Sequence, residues 1–291
     1  KRLVTDATAA EADWTSVDKG LDVFSSDGFT VKDDSTGNYS VNGNTRTYVA
    51  WNWKANGSGS SNTNGTIAST VSANVDAGFS IVSYTGNLTA GATIGHGLSS
   101  APEMMIVKER GYADSWAVYH TSVGNTKLLH LNTNVAERTH TTYWNDTSPT
   151  SSVFSVGSDN KTNGDYAAGM IAYCFHSVDG YSKVGSYTGN GNADGTFVYT
   201  GFRPAWVMIK CTTDTESWWV FDNKRNIYNV VDTVLKPNES TAESTTTNEF
   251  GVDFCSNGFK VRASWAGLNA NNGNFIYIAF AETPFKYSNA R

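Results

Sequence analysis

The sequence predicts an all-β protein built from tandem antiparallel β-sandwich modules, and composition, strand periodicity and internal repetition each support this fold class. Only 16% of the 291 residues are charged, whereas long exposed helices need many Glu, Lys and Arg side chains. Aromatic residues reach 13%, which is typical of a chain with an apolar core and not of a disordered one. The net charge of −6, without any basic run, argues against a nucleic-acid partner.

Short alternating segments separated by turn-forming residues predict the strands. Residues 48–53 place Val49, Trp51 and Trp53 on one face, the period of two expected of a half-buried strand. Asn-Gly and Asp-Gly pairs tolerate positive φ and therefore favour the tight turns that join antiparallel strands. Such pairs begin at Asp27, Asn42, Asn163, Asn257 and Asn272. No helical apolar stripe is visible, so the strands are expected to form layered antiparallel sheets.

Internal repetition divides the chain. The letters Ser-Tyr-Thr-Gly-Asn at 83–87 recur unchanged at 186–190, and residues 102–119 correspond in order to residues 204–221. Ordered blocks at a nearly constant spacing indicate copies of one structural unit. The two complete modules are predicted to cover residues 78–180 and 181–291.

Residues 1–57 match only the second half of this pattern. Glu11 occupies the position of Glu137 and Glu243, which favours a structural hydrogen bond or cap over a catalytic role. Half a sandwich cannot bury its own apolar face, so the neighbouring module, another subunit or residues upstream of Lys1 must cover it. Because the first residue is not Met, we expect an excised piece of a longer chain. Residues 58–77, rich in Gly, Ser, Asn and Thr, are predicted to be a flexible linker, with an ordered course along a surface as the alternative.

The sequence offers little catalytic or metal-binding chemistry. Five His are scattered without HxH or HExxH spacing, no pair of acids suggests a glycosidase, and three Cys lack CxxC spacing. The loop at 158–160 offers oxygen ligands for calcium but has no EF-hand spacing, so no cofactor and no metal site is predicted. No apolar stretch is long enough to insert into a membrane. We therefore predict that the protein is not an enzyme.

A few aromatic residues are candidates for ligand contact. Most aromatics alternate along the predicted strands and are expected in the core. Four others lie among polar residues outside the repeated strands, namely Trp14, Tyr112, Trp144 and Trp265. Exposed aromatic rings beside polar side chains can stack on sugar rings, so these four are the predicted glycan contacts. The alternative is that each ring folds back over the sandwich edge.

The ordered motifs resemble a known repeat. Gly-Phe-Ser-Ile-Val-Ser-Tyr-Thr-Gly-Asn begins at Gly78, His-Gly-Leu at 96–98 precedes the strand at 105–108, and Ile-Ala-Tyr-Cys-Phe closes the module at 171–175. This pattern resembles the tandem module of uncharacterised function in tail-fibre-like virion proteins of bacteriophages, many of them marine. The resemblance implies jelly-roll or concanavalin-like sandwiches and a location on the virion exterior. It carries over no catalytic residues, because none is established for the pattern.

Three functional hypotheses follow. The first is a tail-fibre-like appendage that adheres to a host surface glycan or outer-membrane receptor, where repeated weak sites add to avidity. The second is a structural shaft, adaptor or capsid-surface protein without a ligand. A polysaccharide depolymerase tailspike is third, since no acid pair supports it. Exposed loop aromatics would favour adhesion, and aromatics buried between units would favour architecture.

The predicted partners are other virion proteins and further copies of the chain. The face that carries Val49, Trp51 and Trp53 would be costly to leave in water, which predicts a homo-oligomer. A trimer is expected first, because fibres of the kind the sequence resembles are usually trimeric.

Overall fold

The structure is a computed structural model and describes residues 1–13, 20–32, 41–245 and 250–283. Antiparallel sheets account for almost all of its regular structure, which confirms the predicted all-β sandwich class. The helices within these ranges are α1 (Asn160–Asn163) and α2 (Ala266–Asn269), each a single turn. No helix among the described residues is long and apolar enough to cross a membrane.

The strands follow one another in three groups. The N-terminal segment has β1 (Gly20–Phe24) and β2 (Phe29–Lys32). The next group has β3 (Ser60–Asn62), β4 (Ser69–Asn74), β5 (Phe79–Tyr84), β6 (Ala92–Gly95), β7 (Met104–Glu109), β8 (Ala117–His120), β9 (Lys127–His130), β10 (Arg138–Thr139), β11 (Val153–Val156) and β12 (Met170–Phe175). The last has β13 (Ser182–Thr188), β14 (Phe197–Tyr199), β15 (Pro204–Cys211), β16 (Trp218–Asp222), β17 (Thr233–Val234), β18 (Ser244–Thr245), β19 (Val252–Cys255), β20 (Gly258–Val261) and β21 (Asn274–Ala281).

Two layered sheet systems result, and we call them the first and second units. In the first unit, an eight-stranded sheet in the order β10-β9-β8-β7-β12-β5-β4-β3 packs against the pair β11-β6. Its core contains Val82, Val107, Ile94 and Phe154, which have no exposed surface. In the second unit, β13-β21-β15-β16 packs against β14-β20-β19. The sub-order β5-β12-β7-β8 is therefore repeated as β13-β21-β15-β16.

The recurring letters of the sequence have recurring contacts. Tyr84 donates its hydroxyl to the carbonyl of Thr162 at 2.7 Å, and Tyr187 donates to that of Leu268 at the same distance. Both acceptors lie on the single-turn helices, so the tyrosine ties its strand to α1 or α2. The following glycine is required by close approach, because a Cβ at Gly86 would lie 2.2 Å from the backbone of residue 163.

The prediction of a flexible linker at 58–77 is wrong. Residues 60–74 form β3 and β4, and β4 pairs along its length with β5. Val71 and Ile67 reach the core of the first unit, while the hydroxyl of Ser69 donates to the carbonyl of Gly95 at 3.0 Å. These few apolar side chains, set among polar ones, are enough to fix the segment on the sheet.

The N-terminal segment confirms the predicted hairpin at Asp27-Gly28 but not the predicted strand at 48–53. Trp51 and Trp53 are half-buried between exposed neighbours, as the alternation indicated. Residues 49–53 nevertheless make no backbone hydrogen bond to any other described residue, so they form no strand. Both indole rings pack on Trp206 of the second unit, with centroids 6.0 and 5.4 Å away.

The N-terminal segment, the first unit and the second unit meet at one apolar core, which we call the junction core. Trp116, Trp218, Met104 and Ile278 are buried in it, and Leu3, Trp51 and Trp53 pack against it. Arg225 of the second unit also lies over the ring of Trp51, 5.8 Å from its centroid. Each of the three parts therefore contacts the other two.

Two hydrogen bonds that join the N-terminal segment to the first unit recur between the first and second units. The indole N–H of Trp116 donates to the carbonyl of Val4 at 3.0 Å, and that of Trp218 donates to His130 at 2.9 Å. The backbone N–H of Glu11 donates to the carbonyl of Arg110, and that of Glu137 donates to Thr212, both at 2.8 Å. The backbone at the recurring glutamate position therefore links each part to the next, while the structural role predicted for the glutamate side chain stays a prediction.

Candidate functional site

An exposed pair of stacked tyrosines is the best candidate for ligand contact. The rings of Tyr112 and Tyr166 are nearly parallel, with centroids 5.0 Å apart and an interplanar angle of 4°. Tyr112 is 52% exposed and Tyr166 is half-buried. Tyr112 lies in the loop after β7, and Tyr166 lies in the loop between α1 and β12. We call this pair the tyrosine platform.

Buried charged groups hold the loop of Tyr112 in place. The Lys108 ammonium group is fully buried and donates to the carbonyls of Glu109 and Tyr112, the latter at 3.1 Å. Burial lowers the pKa of Lys108, because the charged form is less well solvated there. Two carbonyl acceptors offset part of that cost, so the lysine acts as an internal anchor.

Glu109 lies beneath the same loop. Its Oε1 accepts the backbone N–H of Gly111 at 2.8 Å, while its buried Oε2 has no hydrogen-bond partner among the described residues. Burial raises the pKa of this carboxyl group. A Cβ at Gly164 would lie 2.7 Å from Oε2, so the glycine leaves the room that the carboxyl group occupies. Glu109 has no exposed surface, and its role is to position the loop.

A charged cluster includes Asp114, which lies in the same loop as Tyr112. The ammonium group of Lys161 lies 3.3 Å from Asp114 and 3.6 Å from Asp159. Asp159 also caps α1 by accepting the backbone N–H of Lys161. Oxygen atoms of the 158–160 loop thus serve the helix terminus and an ion pair. Among the described residues, no group of three or more His, Cys, Asp or Glu side chains could hold a metal ion.

The platform is not repeated in the second unit. By the alignment of β7 with β15, Cys211 stands where the first unit has Glu109, and Thr213 stands in place of Gly111. Cys211 is fully buried, and its Sγ lies 3.6 Å from the Thr213 hydroxyl. The described part of the second unit therefore has no counterpart of the platform, since Asp214 stands where the first unit has Tyr112.

The four sequence-predicted contact residues differ in their location and exposure. Tyr112 is exposed, as expected, whereas Trp14 lies outside the described residues. The expected exposure of Trp144 is wrong, because its side chain is only 1% exposed and packs on Tyr119 and Tyr143. Trp265 is half-buried in the second unit.

Trp265 follows the alternative that sequence analysis left open. Its ring packs against Trp219 and Phe250, with both centroid distances 4.9 Å. It also lies over Gly267, where a Cβ would come within 1.9 Å of the ring. The indole therefore closes the edge of the second unit. The structure does not bring it together with the tyrosine platform.

Sequence analysis missed Tyr166. Its neighbours at 164–169 are Gly, Asp, Ala, Ala and Gly, outside any repeated strand. The criterion that selected Tyr112 would have selected Tyr166 as well, since both are aromatic residues in small, polar loops. What the sequence could not show is that the two loops meet.

The junction core also contains a cavity of about 800 Å³. Its walls are mostly aromatic and aliphatic side chains, including Trp51, Tyr173, Trp206 and Phe280. Lys1, Glu11 and Lys236 lie at its polar margin, where Lys1 pairs with Glu11 and Lys236 pairs with Glu239. The charged groups at the margin are thus engaged with each other.

Comparison with known proteins gives a family without an assigned activity. The family model described as a domain of unknown function (DUF7483) matches residues 1–284. No curated protein matches, and no solved structure matches.

Proposed function

We propose that this chain, which belongs to the DUF7483 family of domains of unknown function, is a structural component of the exterior of a virus particle. Its role in this proposal is to hold a fixed arrangement of β units, as a tail-fibre-like shaft, adaptor or capsid-surface protein. The resemblance of its repeats to phage virion modules supports the location. A catalytic role is not part of the proposal, and the absence of enzymatic activity stays a prediction.

The observation that carries the proposal is the location of the tryptophans. Trp51, Trp53, Trp116, Trp206 and Trp218 all pack at the junction core. Buried aromatic area of this kind, with repeated indole-to-carbonyl bonds, rigidly fixes one unit on another. Aromatic side chains that are buried between units favour an architectural role over ligand binding.

The location is tested on purified particles. Antibodies raised against the full chain should label the surface of intact virions in electron micrographs. The chain should also be found among the proteins of particles purified through a density gradient. If it is present in lysates and lacking from such particles, the structural proposal is wrong.

A second candidate function is adhesion to a host surface glycan through the tyrosine platform. Its support is the flat exposed ring of Tyr112, backed by Tyr166 and fixed by Lys108 from below. Such a platform suits the apolar face of a sugar ring, while the neighbouring Asp114 and Lys161 offer groups for its hydroxyls.

A glycan array with the full chain tests this second candidate. Tyr112→Ala should abolish any binding that the unsubstituted chain shows, because the outer ring of the stack is lost. Tyr228→Ala is the matched control, since Tyr228 is 79% exposed and makes none of these contacts. Equal loss in both variants, or binding that survives Tyr112→Ala, would remove the platform as the adhesive surface.

A homo-oligomer stays a prediction, but the need to cover Trp51 and Trp53 no longer supports it. The Trp51 and Trp53 rings that were expected to need another subunit pack on Trp206 within the same chain. A trimer would therefore need a different contact surface.

A further inference from the structure

The hairpin of the N-terminal segment turns its core residues outward. By sequence, Phe24 and Phe29 correspond to Phe254 and Phe259, which are 0% exposed between the two layers of the second unit. In the hairpin β1-β2 they are 71% and 39% exposed. The hairpin therefore keeps the apolar residues of a sandwich layer, although no described residues form a second layer over them.

Among the described residues, no strand pairs with either edge of residues 49–53. Their counterparts β12 and β21 each lie inside a sheet, β12 between β5 and β7, and β21 between β13 and β15. Residues 49–53 make no backbone hydrogen bond to other described residues. Ala50 is exposed, whereas its counterparts Ala172 and Ala279 are 0% exposed. An extended backbone with open edges readily accepts further strands.

The hydrogen bonds that join one part of the chain to the next occur twice. The corresponding groups near residues 234–244 make up a third, incomplete set. The pairing of Arg2 with Ala12 recurs as Leu128 with Arg138 and as Val234 with Ser244. This register places Lys236 at the position of Val4 and His130, the two carbonyls that accept an indole N–H.

Within the described ranges, neither the Lys236 carbonyl nor the Glu243 backbone N–H makes a backbone hydrogen bond to another unit. In the described structure, the Lys236 carbonyl accepts a hydrogen bond from the backbone N–H of Glu239 in its own loop. The backbone N–H of Glu243, counterpart of Glu11 and Glu137, makes no backbone hydrogen bond to another described residue. Lys236 also borders the cavity of the junction core, as does Trp51.

We propose that residues 20–32, 49–53 and 235–243 together form a docking site for the first half of a repeat module. The first half is the part that precedes the position of residue 127, represented in this chain by residues 78–126. Its two long strands would flank residues 49–53, and its apolar side chains would cover Phe24 and Phe29. The tryptophan of this segment that corresponds to Trp116 would donate its indole N–H to the Lys236 carbonyl.

The required chemistry is specific to such a segment. The occupant needs strands on both sides of residues 49–53, which a single added strand does not provide. Both first halves of a second copy of the chain are already paired with their own second halves, through β12 in the first unit and β21 in the second. A second copy therefore offers no free segment of this kind.

The test joins a second copy of residues 78–126 directly ahead of Lys1 of the full chain. Hydrogen exchange of the amides at 49–53 should slow by about 100-fold or more, because they become bonded within a sheet. Fluorescence of an apolar dye such as anilinonaphthalene sulfonate should fall as the hairpin is covered. The control fusion carries Val82→Asp and Val107→Asp in the added copy only, and should behave like the unmodified chain.

A second measurement does not depend on dye binding. Phe24→Ser should leave the Tm of the unmodified chain unchanged, since Phe24 is 71% exposed there. In the fused chain it should lower the Tm by about 5–10 °C, because the ring would then be buried. Fast exchange at 49–53 in the fused chain would overturn the proposal. Concentration-dependent protection of these amides in the unmodified chain would assign the site to a second copy and overturn it equally.

Discussion

Replacing Trp218 by Phe should weaken the chain through one identifiable hydrogen bond. The indole N–H of Trp218 donates to the carbonyl of His130 at 2.9 Å, in a side chain that is 1% exposed. Phenylalanine keeps an aromatic ring in the junction core but removes the donor. The partly buried His130 carbonyl then loses its partner, which costs about 1 kcal/mol. The smaller ring adds about 1 kcal/mol of lost apolar burial.

Trp144 supplies a matched control. It is also 1% exposed, but its buried Nε1 has no hydrogen-bond partner among the described residues. Trp144→Phe therefore loses ring volume without losing a bond. Urea unfolding followed by circular dichroism should give a free energy of unfolding at least about 1 kcal/mol lower for Trp218→Phe than for Trp144→Phe. Equal values would refute the claim that the indole-to-carbonyl bond holds the units together.

Three further predictions concern pH, an ion pair and a glycine. Burial lowers the pKa of His120 to about 4, so the unfolded chain takes up a proton at this histidine at a higher pH than the folded chain does. The free energy of unfolding should therefore decrease as the pH falls from about 6.5 to about 4. His120→Gln should reduce this fall in a urea-unfolding pH profile without removing it, because burial also lowers the pKa of His130 to about 4. Glu11→Gln should lower stability by about 1 kcal/mol or more, because the bonds at 2.8 and 3.0 Å to the Arg110 guanidinium group become weaker, and urea unfolding at low salt should show it. Gly189→Ala should lower the Tm sharply, since its Cβ would lie 2.2 Å from a backbone oxygen, whereas Gly28→Ala should be tolerated because the nearest atom is 3.9 Å away.

The sequence predicted the sheets where periodicity and repetition act together. The alternation at 48–53 located the apolar face of Trp51 and Trp53, yet it could not show whether another strand lies alongside. The difference is physical, because alternation records which side is buried and not what the backbone bonds to. Composition gave the wrong prediction at 58–77, because burial of Ile67 and Val71 in the core orders the segment despite the Gly and Ser around them.

The candidate site was harder to predict because side-chain direction depends on local backbone. Trp144 precedes Asn145 and Asp146, whose φ values of 53° and 48° turn the chain sharply. The polar residues take the outside of that turn, so the indole points inward. For Trp265, the spacing to Gly267 was the available signal, since a ring can lie flat only where no Cβ intervenes.

Mutual contact among all three parts at the junction core limits how such a protein can lengthen during evolution. In an open row of repeats, duplication adds another copy at an end and leaves earlier contacts intact. Here Trp206 receives the rings of Trp51 and Trp53 from the far end of the chain, so an inserted copy would separate surfaces that already touch. A repeat inserted between the existing parts would therefore break the contacts of Trp206, whereas a segment added ahead of Lys1 would leave them in place.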